Sequence, residues 1–258
     1  MKAGTADRYT CRTYYFSEKG PIRLKNEDNL LVLYPDGDRC TVFAIIADGM
    51  GGHKAGEVAS SMACELAGKY IQKHFRDKNV PAMLKAMMQL LQKGIVAAGN
   101  KEESVNGMGT TATAIFIRES SAYYAHIGDS RLYLVRNQEL LQCTEDDTLV
   151  EQMQQAGLIS AQEASYHFLR NVLTQALGAS TIIEPQISPE IPINHGDRFL
   201  LCSDGLYNVF DNEEFTRVLN MRYPKRLIDS MKSTCHQRYA EDNFSCILIQ
   251  VTDSKTKR

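Results

Sequence analysis

Residues 41–53 read T-V-F-A-I-I-A-D-G-M-G-G-H. Thr41 to Ala47 is a short apolar run of strand length, rich in β-branched and aromatic side chains. It stops at Asp48-Gly49, followed by Met50-Gly51-Gly52. A carboxylate beside a buried strand loses hydration, and an unpaired buried charge is costly. The same juxtaposition recurs along the chain. One run ends Ile127-Gly128-Asp129, and another runs Phe199 to Ser203 before Asp204-Gly205. Asp242 stands just before an apolar segment starting at Phe244, and Glu27-Asp28 precedes one at Leu30.

A lone Asp-Gly pair at a strand end is usually a turn. Several in one chain, each beside an apolar strand, point to a shared site. Few Lys or Arg lie near these motifs, so a hard divalent cation is the simplest neutraliser. All-oxygen ligands select Mg²⁺ or Mn²⁺ over zinc, and no Cys/His cluster competes. Five separated acidic sites could hold two cations about 3.5–4 Å apart, the spacing of metal pairs that activate water for in-line phosphoryl displacement. Glycine-rich loops also cradle nucleotide phosphates. Here, however, His53-Lys54-Ala55-Gly56 follows and no Walker-type lysine does, which disfavours a P-loop.

The chain has 258 residues, enough for a substantial core, and is read as one domain over 1–258. Lys plus Arg is 29 and Asp plus Glu 31, a net charge of -2, which argues against a nucleic-acid binder working through bulk charge. No apolar run is long enough for a membrane helix, and the N-terminus lacks a secretory stretch. Seven cysteines without a CxxC pair speak against a disulfide framework or zinc knuckle, so a reduced, cytoplasmic protein is expected.

Strands are expected at Asn29–Tyr34, Thr41–Ala47, Thr111–Ile117, Ser121–Ile127, Arg131–Arg136, Arg198–Cys202 and Phe244–Val251. Hairpin turns are expected at Arg118–Ser121 and at Asn137-Gln138. Val58, Met62, Leu66 and Tyr70 make one helical apolar stripe. Pro81 opens a helix carrying Leu84, Met87, Leu91 and Ile95, and Pro224 opens one carrying Leu227, Ile228 and Met231. Strands and helices are grouped rather than alternating, which suggests an α+β layered domain with antiparallel sheets. A helical insert is expected over about 144–180. Capping-box spacing at Thr144/Asp147 and Ser160/Glu163, and Gly157 at a helix end, mark it. The polar tail Thr252 to Arg258 is expected to fray.

Seven segments in order resemble the PPM family, the metal-dependent (type 2C-like) Ser/Thr protein phosphatases, in their compact bacterial form. They are G-P-I-R-L-K-N-E-D-N at 20–29, A-D-G-M-G-G-H at 47–53, G-T-T-A at 109–112 and H-I-G-D-S-R at 126–131. Then come N-V-L-T-Q-A-L-G at 171–178, L-L-C-S-D-G-L at 200–206 and E-D-N-F-S at 241–245. The resemblance spans about Tyr14 to Val251. It implies a four-layer α-β-β-α sandwich, two antiparallel sheets flanked by helices, with the insert as a flap near the active site.

By motif, the resemblance implies that Asp48 bridges two Mn²⁺ or Mg²⁺ ions and that Gly49 lends its carbonyl. Asp204 and Asp242 complete the first shell, and Glu27 and Asp28 act through or beside bound water. Asp129 with Asp204 matches a third-metal position. Arg23 matches the phosphate-holding residue, a job its forked donors suit. Arg23, Asp48 and Asp204 are the implied catalytic set. The implied reaction is single-step hydrolysis of phosphoserine or phosphothreonine by a metal-activated water. The implied partners are phosphoproteins and a cognate eukaryotic-like bacterial kinase, with no nucleic acid, no membrane and a monomeric enzyme.

Three departures stand out. Met50 occupies the position where many eukaryotic members carry a proton-donating His, and His53 is the candidate substitute. Asp146-Asp147-Thr148 replaces Asp-His-Ser, and His167-Phe168 replaces His-Pro, so altered flap mobility is expected. His126 reads as a packed core histidine and Cys202 as a buried strand residue. Two alternatives compete with the phosphatase reading. One is a non-catalytic interaction module on the same fold, and the other is a two-metal phosphoesterase acting on small phosphoesters.

Overall fold

Along the strand Thr41–Met50, odd and even residues enter two different apolar layers. Phe43, Ile45 and Ala47 pack with two long helices, while Val42, Ala44 and Ile46 pack with Phe199, Leu201, Ile247 and Ile249. Burial on both faces explains why residues 42–47 are apolar without alternation. A computed structural model describes residues 9–50 and 55–254. The chain runs β1 (Tyr9–Glu18), β2 (Asp28–Leu33), β3 (Thr41–Met50), α1 (Ala55–His74), α2 (Val80–Gly99), β4 (Gly109–Thr110), β5 (Ala112–Arg118), β6 (Ser121–Ile127), β7 (Arg131–Arg136) and β8 (Glu139–Gln142). It continues α3 (Leu149–Gln155), α4 (Ala161–Tyr166), β9 (Gln186–Ile187), β10 (Ile191–Pro192), β11 (Arg198–Cys202), α5 (Asp204–Tyr207), α6 (Asn212–Leu219), α7 (Pro224–Gln237) and β12 (Phe244–Asp253).

One sheet has the order β1-β12-β11-β7-β8 and the other β10-β6-β5-β3-β2, with antiparallel pairing throughout. Helices α1 and α2 cover the outer face of the second sheet. Helices α6 and α7 cover the first, where Phe215, Leu219, Leu227 and Met231 meet Leu200, Cys202, Cys246 and Leu248. The result is the α-β-β-α sandwich expected. Among the described residues no helix is long and apolar enough to cross a membrane.

Most expected elements are present. Asn137 and Gln138 both have positive φ, 53° and 69°, as a type I′ hairpin requires. Asn79 caps α2, Pro81 sits in its first turn, and Leu84, Met87, Leu91 and Ile95 are fully buried. The Ser160–Glu163 capping box is complete, and Gly157 follows α3 with φ 70°.

Four readings need correction. Val58, Met62, Leu66 and Tyr70 are only partly buried; α1 turns Ala59, Ser60, Ala63, Ala67 and Ile71 to the core. Small residues there let the helix lie close to the sheet, and the large stripe packs at the flank. Helix α3 is capped by Thr148, whose hydroxyl accepts from Glu151 N, rather than by Thr144. Thr144 instead accepts from Leu132 N at 3.1 Å. The strand at Phe244 runs on through Thr252 and Asp253, which pair with Thr10 and Tyr9, so fraying does not begin at Thr252. Residues 255–258 lie outside the described residues. Strand β1 was not expected, although its β-branched and aromatic content fits a strand.

Candidate active site

Strand register brings the distant carboxylates together. Asp28 on β2 lies directly opposite Asp48 on β3. Each shares its parity with residues that face the other sheet, so both side chains stand between the two sheets. In that other sheet Cys202 pairs with Cys246, so the exit of β11 and the entry of β12 are neighbours. Asp204 and Asp242 flank that pair. Asp129 lies on the 128–130 turn that carries the chain from β6 in one sheet to β7 in the other. Arg23, Glu27, Asp48, Gly49, Asp129, Asp204 and Asp242 line one open cleft of ≈ 760 Å³ at this end of the sandwich. Asp28 lies behind its floor, 4% exposed.

The Asp48 backbone and the Asp28 carboxylate are held from behind. Asp48 N donates to Thr111 Oγ1 at 2.9 Å, and its carbonyl accepts from Thr110 Oγ1 and Thr111 N, both at 2.9 Å. These bonds give the G-T-T-A segment a purpose that its sequence alone does not reveal. Ser203 Oγ donates to Asp28 Oδ2 at 2.7 Å and accepts from Ser245 N at 3.0 Å. Gly49 N donates to Glu27 O at 3.1 Å. The glycine is needed for packing, because a Cβ there would strike the Gly56 carbonyl at the start of α1 and come to 2.8 Å from Glu27 O. At the cleft mouth Arg23 Nη2 lies 2.6 Å from Asp242 Oδ2, and Nε donates to Glu241 O at 3.2 Å.

The electrostatics are those of a site built for cations. Burial, then Asp28 and Asp204, push Asp48 well above the usual carboxylate range. Burial and Asp204 do the same to Asp129. Burial raises Asp28 to about 7 against its serine hydrogen bonds, and burial with Asp242 raises Asp204 to about 6. Asp28 Oδ1 and Asp204 Oδ1 are buried with no hydrogen-bond partner. Unpaired buried acceptors are rare and ask for an explanation. Among the described residues no three His, Cys, Asp or Glu side chains form a ready-made cage around one point. The all-oxygen donor set fits hard divalent cations.

The remaining candidates have structural partners. His126 is fully buried, with Nδ1 2.8 Å from Thr113 Oγ1 and Nε2 3.1 Å from Glu145 O, and burial lowers it to about 4. It is a core histidine. Cys202 is fully buried, and burial raises its thiol. Asp147 Oδ2 accepts from Gly128 N at 2.9 Å and Oδ1 from Gln175 Nε2 at 3.2 Å. It pins the flap to the turn bearing Asp129. Asp146 receives Arg131 through a fork at 2.7–3.1 Å, and Arg131 in turn covers the Tyr207 ring at 3.7 Å. Phe168 is exposed and stacks on His167. Met50 lines the cleft. His53 lies outside the described residues.

The sequence model of the family described as protein phosphatase 2C matches residues 23–248. The serine/threonine phosphatase stp of Listeria monocytogenes is 36% identical over 238 residues, 91% of this chain and 93% of that one. The crystal structure of the Mycobacterium tuberculosis serine/threonine phosphatase PstP is similar with a TM-score of 0.84 at 33% identity, covering 93% of this chain and 98% of that one. A structure of the PstP catalytic domain in complex with two manganese ions gives 0.83 at 32%, covering 95% and 100%. The chain belongs to the protein phosphatase 2C family of metal-dependent serine/threonine phosphatases.

Proposed function

We propose that the cleft hydrolyses phosphoserine and phosphothreonine esters on proteins, with Asp48, Asp204, Asp242 and the Gly49 carbonyl holding two Mn²⁺ or Mg²⁺ ions. Glu27 and Asp28 act beside them, and Asp129 with Asp204 offers a third position. Bound there, the cations supply an activated water and offset charge on the phosphoryl oxygens. The observation that carries this reading is the pair of buried, unpartnered oxygens on Asp28 and Asp204 beneath a cleft lined by further carboxylates.

Arg23 is the phosphate receptor in this reading. Its guanidinium is half-exposed at the cleft mouth and already engages a carboxylate. A phosphate offers the same fork two oxygens. Thr110 and Thr111 fix the Asp48 backbone, and Ser203 fixes Asp28, so the floor is rigid before substrate arrives. Met50 cannot donate a proton, so another group protonates the leaving alkoxide. Cys11, Cys64, Cys202, Cys235 and Cys246 are buried thiols, which suits work in a reducing cytoplasm. The whole described chain serves as one catalytic domain.

The test is phosphate release from a phosphothreonine peptide, with and without Mn²⁺, by wild type and Asp204→Asn. Mn²⁺-dependent turnover that falls at least a hundredfold in the variant is expected. Turnover that ignores Mn²⁺, or that survives the substitution, would refute the assignment.

A further inference from the structure

Arg23 is flanked on both sides by side chains that favour burial and that the fold leaves in water. Leu24 is 94% exposed and Ile22 56%. Both line the same cleft as the carboxylates, together with Leu173 from the flap side. A single exposed leucine means little, but apolar groups gathered at the rim of a site mark a contact surface.

The segment that presents them is pinned at several points. Asn243 is 4% exposed, and its amide is fully used on this segment. Its Oδ1 accepts from Glu27 N at 2.8 Å, while Nδ2 donates to Lys19 O at 2.8 Å and Lys25 O at 2.7 Å. Asn26 Nδ2 donates to Ser17 Oγ at 2.7 Å. Gly20 has φ 76° and packs so closely that a Cβ would lie 2.8 Å from Asp242 O. Ile22 and Leu24 are therefore held at the rim by the same clasp that presents Arg23, and a ligand meets them preorganised.

We infer that this rim reads the residues flanking the phosphorylated one, and that the enzyme favours phosphopeptides with a large apolar side chain two positions from the phosphoresidue. The inference rests on the phosphatase reading of the cleft. Alternate side chains of an extended chain share a face and stand about 7 Å apart. A peptide whose phosphate reaches Arg23 thus turns the side chains two positions away toward the rim that holds residues 22 and 24.

The test compares two phosphothreonine peptides, identical except for Leu or Gly two positions to either side of the phosphothreonine, and p-nitrophenyl phosphate as a flank-free substrate. The enzymes are Mn²⁺-loaded wild type and the double variant Ile22→Ser/Leu24→Ser. Wild type is expected to favour the Leu peptide about tenfold in kcat/KM, mostly through KM, as burial of one aliphatic side chain allows. The double variant is expected to treat both peptides alike while keeping its rates on the Gly peptide and on p-nitrophenyl phosphate. No preference in wild type overturns the inference, and so does a preference that survives in the variant. A change in sedimentation behaviour with unchanged peptide preference also overturns it, assigning the rim to a second copy of the chain. If wild type releases phosphate from none of the three substrates, the phosphatase reading itself fails and this inference falls with it.

Discussion

His126 shows how a chemically suggestive residue becomes structural. It sits three positions before Asp129, yet its ring is fully enclosed and both nitrogens are satisfied by Thr113 and Glu145. Asp146 and Arg131 face it with opposite charges. Burial lowers its folded-state pKa to about 4 from an unfolded value of about 6.5. The stability tied to neutral His126 is thus fully present above pH 6.5 and is lost as pH falls through 4. The full loss is on the order of 3 kcal/mol. Denaturant melts of wild type and His126→Asn between pH 7.5 and 4 are expected to converge as pH falls, because the variant lacks this titration; parallel curves would rule the account out. Single residues of this kind were partly legible. An apolar neighbourhood identified His126 as a core residue. Nothing local revealed that Thr110 and Thr111 hold Asp48, since that bond joins residues more than sixty positions apart.

At the scale of elements, the contact of α1 with β3 decides how the Asp48 end is shaped. Gly49 and Gly56 meet backbone to backbone, and a Cβ on Gly56 would come to 2.7 Å from the Gly49 carbonyl. Gly49→Ala is expected to destabilise by about 3 kcal/mol, the upper end of ordinary overpacking. Gly68→Ala is a useful contrast on the same helix. Its added methyl would meet only the flexible ends of Leu31, at 2.8 Å, and Leu33, at 3.5 Å, and it gains helix propensity of about 1 kcal/mol. Thermal melts should therefore separate the two variants clearly, and equal shifts would contradict this account. Gly49 was legible as a place of close approach, but sequence suggested a ligand where the structure brings the start of α1. The α1 stripe misled for a related reason. Periodicity reports where large apolar residues lie, whereas the closest helix–sheet contact uses alanine, serine and glycine.

For the whole molecule, the carboxylate cluster sets a conflict between folding and charge that cations resolve. Asp28 and Asp204 have folded-state values near 7 and 6, against about 3.9 unfolded. In metal-free protein their contribution is therefore most favourable in acid and is lost as pH rises through 6 to 7. Mn²⁺ at a hundred times its dissociation constant adds about 2.7 kcal/mol, or roughly 5–10 °C in Tm for a chain of this size. That gain is expected to grow from pH 5 to pH 7.5 as the carboxylates ionise, and to shrink in Asp204→Asn. A gain that does not vary with pH would show that the ions bind elsewhere. The α+β class and the acidic site were both readable, because short apolar strands ending in Asp are a local signal. That the acidic motifs share a site was readable too, but the Asp28–Asp48 register and the Cys202–Cys246 pairing that bring them together were not, because they join strands far apart in sequence.

The position of β12 has a consequence for synthesis on the ribosome. It lies between β1 and β11, pairing with the first described strand over ten positions, from Tyr9–Asp253 to Glu18–Phe244. A nascent chain that has emerged only as far as β11 leaves β1 with no neighbour in its sheet, and it lacks the Asp242 wall of the cleft. The helices on the far side of the other sheet need no such wait, since β2, β3, β5 and β6 all precede residue 128. Folding can therefore start vectorially on one half of the sandwich, but closure must wait for the late strand. Until then the Asp242 side of the cleft is missing, and the edges of β1 and β11 that β12 will cover are open to mispairing.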